Sequence, residues 1–303
     1  MLMDGVDSYL AIRRAAGFEL VVPEYLLRSF ARFADERGDA HVCTQTCIEW
    51  ASQAPSIGQS DHRLKTVIRM ARHLQVEDCR HQVPPGNAFG FRRSRRVPYI
   101  FSQAEMSRLI GAATRLGPAG SLRPHTYSTL FALLSVTGLR ISEALALRYG
   151  DLTSGGLWIR KTKFNKTRLV PLHETAESGL DRYMAYRRRS DCCDDHVFIS
   201  MRGSRLGRSG VQSTFRNLLK TIGLDPAPNG RRPRIHDIRH TFAVRALEAS
   251  PEGRDKVGQH MLALSIYLGH SSISDTYWYL EATHHLMQDI ADSCDNYLRP
   301  GAS

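Results

Sequence analysis

A chain of 303 residues can hold two domains, each with its own core, and its 42% apolar content is ordinary for a globular protein. No run approaches the roughly eighteen apolar residues of a membrane span. The opening stretch MLMDGVDSYL lacks the basic start and apolar core of a secretion signal, so a cytoplasmic address without membrane association is expected. The net charge of +11 points to a polyanionic partner, most simply nucleic acid, with a basic surface kept for solubility as the alternative.

Cys43, Cys47, Cys79, Cys192, Cys193 and Cys294 do not form a disulfide framework in a chain of this size. His41, Cys43 and Cys47 lack the CxxC knuckle and second ligand pair of a zinc site, so reduced, mostly buried thiols are expected and no metal. The positive charge is uneven. Residues 1–83 hold 10 Lys/Arg against 11 Asp/Glu, residues 84–98 four Arg and no acid, and residues 99–303 hold 27 basic against 19 acidic side chains. The field therefore belongs to the middle and the second half.

In chain order, the first segment reads as helical. Pro23 to Phe33 places Leu26, Phe30 and Phe33 on one face, with Pro at a permitted first-turn position. Thr44 to Gln53 and Ser60 to Asp78 repeat the pattern; in the latter Leu64, Val67, Ile68, Ala71 and Leu74 make the stripe, flanked by Arg63, Lys65, Arg69 and Arg72. A small helical bundle over 1–83 follows. Pro84-Pro85-Gly86 onward, through Arg92, Arg93, Arg95 and Arg96, has little to bury and reads as a basic linker over 84–98, able to track phosphates.

Past Pro98 a second domain opens at the capping box Ser102-Gln103-Ala104-Glu105, predicting a helix to Arg115. Thr126 to Val136 reads as an apolar helix ending near Gly138, and Arg140 to Leu147 as another. Strands are predicted at 157–160 and 168–172, with Val197-Phe198-Ile199 as a third. Helices follow near 209–222, 236–250, 256–268 and 274–298. The fold class is mainly α with a small antiparallel β-sheet.

Several polar residues sit where the pattern does not require them: Arg140 at a helix mouth, His236 and Arg239 one turn apart on a shared face, His270 after a Leu-Gly break, and Tyr279. Each alone has an ordinary reading, as an ion pair, a cap or a core aromatic. Together, Thr-Gly-Leu-Arg-Ile-Ser-Glu-Ala-Leu (137–145), Lys-Phe-Asn-Lys-Thr-Arg-Leu-Val-Pro-Leu (163–172), His-Asp-Ile-Arg-His-Thr-Phe-Ala (236–243) and Leu-Gly-His-Ser-Ser-Ile-Ser-Asp-Thr-Tyr-Trp-Tyr (268–279) resemble the signature blocks of the tyrosine recombinases, the phage integrase and Xer-like enzymes, in that family's order.

The resemblance implies an N-terminal core-binding domain over 1–83, an integrase-type catalytic domain over 99–303 with a helical tail, double-stranded DNA as substrate, and four copies in the synapse. It makes Arg140 and Arg239 the catalytic arginines, Lys163 the hairpin lysine, His236 and His270 the active-site histidines, and Tyr279 the nucleophile. Glu143 would orient Arg140 from behind, and His240 would give structural support. Tyr277 competes with Tyr279, and Lys161 and Lys166 with Lys163; block register favours Tyr279 and Lys163. No metal or nucleotide is implied. A site-specific recombinase serving a mobile element is the expected function; a catalytically silent DNA-binding relative and a type IB topoisomerase-like activity are the alternatives. The His236-to-His270 spacing is longer than the family pattern, with the excess placed in 248–256.

The chemistry accounts for the residue types. A phosphodiester under attack gains negative charge on its non-bridging oxygens, which planar, permanently protonated guanidinium forks stabilise. A phenol with an ordinary pKa near 10 must lose its proton during attack, and a neutral histidine can accept it.

Overall fold

The computed structural model describes residues 2–91, 96–160, 167–189, 192, 194–227, 230–249 and 254–269. The chain divides into two compact units between Arg96 and Val97, inside the stretch read as a linker. The first part of that stretch belongs to the first unit: Pro84 is buried, and Val83 and Phe89 pack against the N-terminal core.

The first unit is four helices: α1 (Leu2–Ala15), α2 (Val21–Asp35), α3 (Thr44–Ser52) and α4 (Ile57–Glu77). Leu10, Leu27, Phe30, Trp50, Leu64, Val67 and Met70 fill its centre. Each such large side chain contributes roughly 1.5–3 kcal/mol by leaving water. Trp50 meets Phe30 edge to face at 5.4 Å between ring centroids, a favoured aromatic geometry. The Ser56 hydroxyl caps α4 by accepting from the Gln59 amide. Helix α1 lies in the segment read as helical but was not delimited there; its buried Leu2, Val6, Tyr9 and Leu10 fall on one face.

In the second unit, α5 (Gln103–Ala113) opens at the foreseen capping box, with Ser102 accepting from the Glu105 amide and Glu105 from that of Ser102. Next come α6 (Arg123–Thr137), the one-turn α7 (Ile141–Ala144), a 3-10 turn at Tyr149–Asp151, and strands β1 (Leu152–Thr153), β2 (Gly156–Ile159) and β3 (Arg168–Val170). Helices α8 (Glu174–Arg188), α9 (Arg208–Thr221), α10 (Ile235–Glu248) and α11 (Arg254–Leu268) complete the described elements. The sheet is antiparallel in the order β1-β2-β3, with Leu157 opposite both Leu152 and Val170.

The third strand is thus Leu152–Thr153, not the predicted 197–199. Ser154-Gly155 is short enough to fold β1 directly back on β2. Gly156 permits the approach to β3: at φ +125°, a Cβ there would lie 2.2 Å from the Val170 carbonyl oxygen. Val197, Phe198 and Ile199 are buried instead beside the segment after α7, where the Val197 amide donates to the Leu147 carbonyl at 2.8 Å. Helix α8 was also unforeseen, because Glu174–Arg188 is mostly polar and buries only Leu180, Tyr183, Met184 and Arg187.

Of the described cysteines, Cys47 is buried, Cys79 is exposed, and Cys43 and Cys192 lie between; all four are free thiols. The expectation of mostly buried thiols therefore holds for Cys47 alone. Burial pushes its thiol up to about 12, which keeps it protonated and inert. His41 is engaged elsewhere, with Nε2 3.2 Å from Asp78.

Candidate active site

The candidate residues are delivered by helix ends. Helix α6 stops at Gly138, which adopts φ +60° and donates its amide to the Leu134 carbonyl at 3.0 Å. A Cβ at Gly138 would meet Phe242 at 2.4 Å, so this turn requires glycine for both conformation and space. Two residues later Arg140 stands as the N-cap of α7. Glu143 is placed by the same turn, its carboxylate accepting the Arg140 backbone amide at 3.0 Å and the Arg140 guanidinium at 2.8 Å.

Helix α10 carries the second group. Asp237 is buried and accepts the Arg234 amide at 2.8 Å, fixing the first turn. The buried Thr241 hydroxyl accepts the Phe101 amide at 2.9 Å, tying the helix to the segment before α5. Arg239, 2% exposed, reaches the Gly138 carbonyl at 2.8 Å and the Leu268 carbonyl at 2.6 Å. His236 lies one turn before Arg239, and its ring stands edge-on to His240 with centroids 4.7 Å apart.

The meeting point is the C-terminus of α11. Helix ends leave carbonyls without intrahelical partners and carry partial negative charge. Here three arginines take them. Arg168 Nε donates to the Tyr267 carbonyl at 2.8 Å, Arg239 to that of Leu268, and Arg140 Nη2 to that of Gly269 at 3.0 Å. Arg140 Nη1 also reaches the Leu268 oxygen at 3.4 Å, so the two candidate catalytic arginines share one acceptor. Gly269 turns the chain away at φ +65°, and the next residue is His270.

The electrostatics follow from this crowding. His236 is exposed by its surface area, yet the protein packed around the ring, with Arg239, Arg234 and Arg140 close by, holds its pKa down to about 4. This shift favours the neutral imidazole, the form with a ring nitrogen open to a proton. For Glu143, burial raises the carboxyl, but the hydrogen bonds and charge of Arg168, then those of Arg140, outweigh it and leave it below the ordinary carboxylate value.

Arg140, Glu143, His236, Arg239 and His240 are thus gathered at one place. Lys163, His270, Tyr279 and the linker residues Arg92, Arg93 and Arg95, like the competitors Lys161, Lys166 and Tyr277, lie outside the described residues. Arg96 is described and exposed. Sequence reasoning missed Arg168 as a member of the cluster. It was visible only as a letter of the Arg-Leu-Val-Pro-Leu strand, and a partnership with Glu143 across the fold leaves no local signal. Among the described residues, the one grouping with metal-ligand spacing is Asp194, Asp195 and His196, which belongs to another loop. Asp194 there accepts the His196 amide at 2.8 Å and the Arg205 amide at 2.9 Å.

A mainly helical domain with a three-stranded antiparallel sheet, gathering two arginines and a neutral histidine at one helix end, defines an integrase-type catalytic domain. Residues 100–285 match the phage integrase family. The chain belongs to that family, the tyrosine recombinases. It is 38% identical over 296 residues to the putative integrase/recombinase y4rB of Sinorhizobium fredii, covering 94% of both chains. It is 28% identical to the tyrosine recombinase XerD of Halalkalibacterium halodurans, over 65% of this chain and 62% of that one. The integrase of transposon Tn1549, solved in complex with transposon right-end DNA, superimposes with a TM-score of 0.66 at 17% identity, covering 95% of this chain and 98% of that one.

Proposed function

We propose that this protein is a site-specific recombinase that cleaves and rejoins double-stranded DNA through a 3′-phosphotyrosyl intermediate on Tyr279. The observation that carries the reading is the convergence of Arg140 and Arg239 on the Leu268 carbonyl, beside a neutral His236.

In the reaction, the Tyr279 phenol oxygen attacks the scissile phosphorus. His236 accepts the phenolic proton, and the bond to the 5′-oxygen breaks as Lys163 gives that oxygen a proton. The guanidinium forks of Arg140 and Arg239 stabilise the charge on the non-bridging oxygens, and His270 adds a further donor to the phosphate. The phosphotyrosyl bond conserves the energy of the broken diester, so a 5′-hydroxyl can displace Tyr279 by the reverse steps without a nucleotide. Two guanidiniums and a lysine supply the positive charge that a metal would otherwise bring, and the reading includes none.

The substrate is double-stranded DNA, and four copies acting on two duplexes complete an exchange that serves a mobile element. The first unit acts as the core-binding module. Lys65, Arg69 and Arg72 are exposed along one side of α4, with Lys65 paired to Asp61 at 2.9 Å, and these cations are the ones that would track phosphates. Arg92, Arg93, Arg95 and Arg96 continue that role further along the chain.

The test is to incubate the protein with a duplex selected from a randomised pool for binding, then denature and look for protein bonded to DNA. The reading expects an adduct on the selected duplex, unaffected by a chelator and absent with Tyr279→Phe. Equal adduct on unselected duplexes would make it a topoisomerase-like enzyme, and loss with chelator would make it metal-dependent.

A further inference from the structure

We infer that Arg168 is a positioning residue of the strand-cleavage site: it clamps Glu143 from β3, so that Arg140 keeps its fork and its net positive charge for the phosphate. The inference rests on the reading above and names a residue to which that reading gives no part.

The geometry is a shared carboxylate. Each Glu143 oxygen accepts once from Arg140 and once from Arg168. Oε1 takes Arg140 Nη1 at 2.8 Å and Arg168 Nη1 at 3.2 Å; Oε2 takes the Arg140 backbone amide at 3.0 Å and Arg168 Nη2 at 2.9 Å. Arg168 therefore makes the bidentate pair and Arg140 only a single side-chain bond, which leaves Nη2 of Arg140 turned towards the end of α11. The Glu143 side chain is 6% exposed and that of Arg168 13%, so water does not replace either partner readily.

The charges also decide the matter. One carboxylate between two guanidiniums leaves a net positive charge on the group. Without Arg168, Glu143 would face Arg140 alone, free to take both of its terminal nitrogens and cancel its charge. A buried carboxylate keeps the partner that remains, because leaving it unsatisfied is costly. The arginine meant for the phosphate would then be spent on the glutamate. Among the described residues, the charged groups that act on the Glu143 carboxyl are Arg168 and Arg140.

The third nitrogen of Arg168 gives the clamp its position. Nε donates to the Tyr267 carbonyl at 2.8 Å, so β3 is pinned to the end of α11. The fit is close: a Cβ on Gly269 would lie 2.8 Å from Arg168 Nη1 and 3.1 Å from Cζ. Arg168 thus links β3, five residues after Lys163 in sequence, to the end of α11, just before His270. Lysine offers one point charge in place of this three-nitrogen fork.

The experiment measures single-turnover adduct formation and DNA affinity on the selected duplex for the wild type, Arg168→Met, Arg168→Lys, Glu143→Gln and the double variant Arg168→Met/Glu143→Gln. Partners that orient a reacting group from behind typically matter by roughly 10–100-fold. Arg168→Met should lose about that much in rate at saturating DNA, with affinity little changed, and Arg168→Lys should fall between. The double variant should react faster than Arg168→Met, because glutamine keeps an acceptor for the Arg140 amide but no longer neutralises its guanidinium. A merely structural arginine would give the opposite order, since the second substitution would add damage. Arg168→Met reacting at the wild-type rate, or a double variant slower than Arg168→Met, overturns the inference while leaving the proposed function intact. Absence of adduct from the wild type overturns the proposed function, and this inference with it.

Discussion

Arg140 and Arg239 place guanidinium nitrogens 3.4 and 2.6 Å from the same oxygen, the carbonyl of Leu268 at the end of α11. Two cations tolerate this proximity because the helix end carries partial negative charge and its carbonyls need donors. The arrangement holds both forks at the end of α11, Arg239 from within α10 and Arg140 from the N-cap of the one-turn α7.

Arg140 is the more accessible of the pair, with 26% of its side chain exposed. Replacing it by lysine keeps the charge but removes the planar fork. Arg140→Lys should slow adduct formation by roughly 10²–10³-fold, the loss seen when one aligned donor to a developing anion is removed. Folding stability should change little. A denaturant midpoint near wild type with a collapsed single-turnover rate is the expected pair of readings.

Gly138 offers a structural counterpart. It sits at φ +60° with Phe242 2.4 Å from where a Cβ would go, and its carbonyl holds Arg239. Gly138→Ala should lower stability by at least roughly 1–3 kcal/mol from backbone strain alone, with the clash added. It should also slow catalysis by shifting Arg239. Urea unfolding and adduct rate measured on one preparation check both.

The pH dependence has a definite sign. His236 has a folded pKa near 4 against an ordinary 6.5, so the unfolded chain takes up this proton first. Its contribution to stability is whole above about pH 6.5 and declines as pH falls from there through about 4. Glu143 is also depressed, so its contribution is present above the ordinary carboxylate value and lost as pH falls through its lower folded value. His236→Asn should remove the first window and keep the second. Urea midpoints at about pH 7.5 and pH 5 should therefore drop more for wild type than for the variant, modestly, because part of the ring is in water. Parallel drops would contradict the assignment.

The α4 stripe is tested by salt. Each phosphate contact on duplex DNA changes the slope of log affinity against log salt by about 0.9. Replacing Lys65, Arg69 and Arg72 together by glutamine should flatten that slope by about two to three if all three meet phosphates. An unchanged slope would remove α4 from the DNA-facing surface.

How much of this was legible in the sequence depends on the range of the interaction. The Ser102–Glu105 capping box, the Gly138 stop and the α10 start are local, and the sequence shows them directly. Helices α1 and α8 were not picked out although their buried residues fall on one face at helical spacing; each stripe is short, and that of α8 includes an arginine in a mostly polar segment. The third strand was misplaced because Leu152–Thr153 is too short to give a period, while the buried run 197–199 looks like a strand without pairing into the sheet. The blocks bearing Arg140, His236 and Arg239 were read by resemblance. The role of Arg168 was not legible at all, since it depends on Glu143 and Tyr267, residues 25 and 99 positions away.

The central claim is that a tyrosine oxygen becomes bonded to DNA. The most direct measurement is mass spectrometry of the protein after reaction with the selected duplex, denaturation and exhaustive nuclease and protease digestion. The account predicts a nucleotide joined through its 3′-phosphate to the peptide containing Tyr279. A modification on Tyr277 or another residue, or unmodified Tyr279 in a reaction that has cut the DNA, would contradict it.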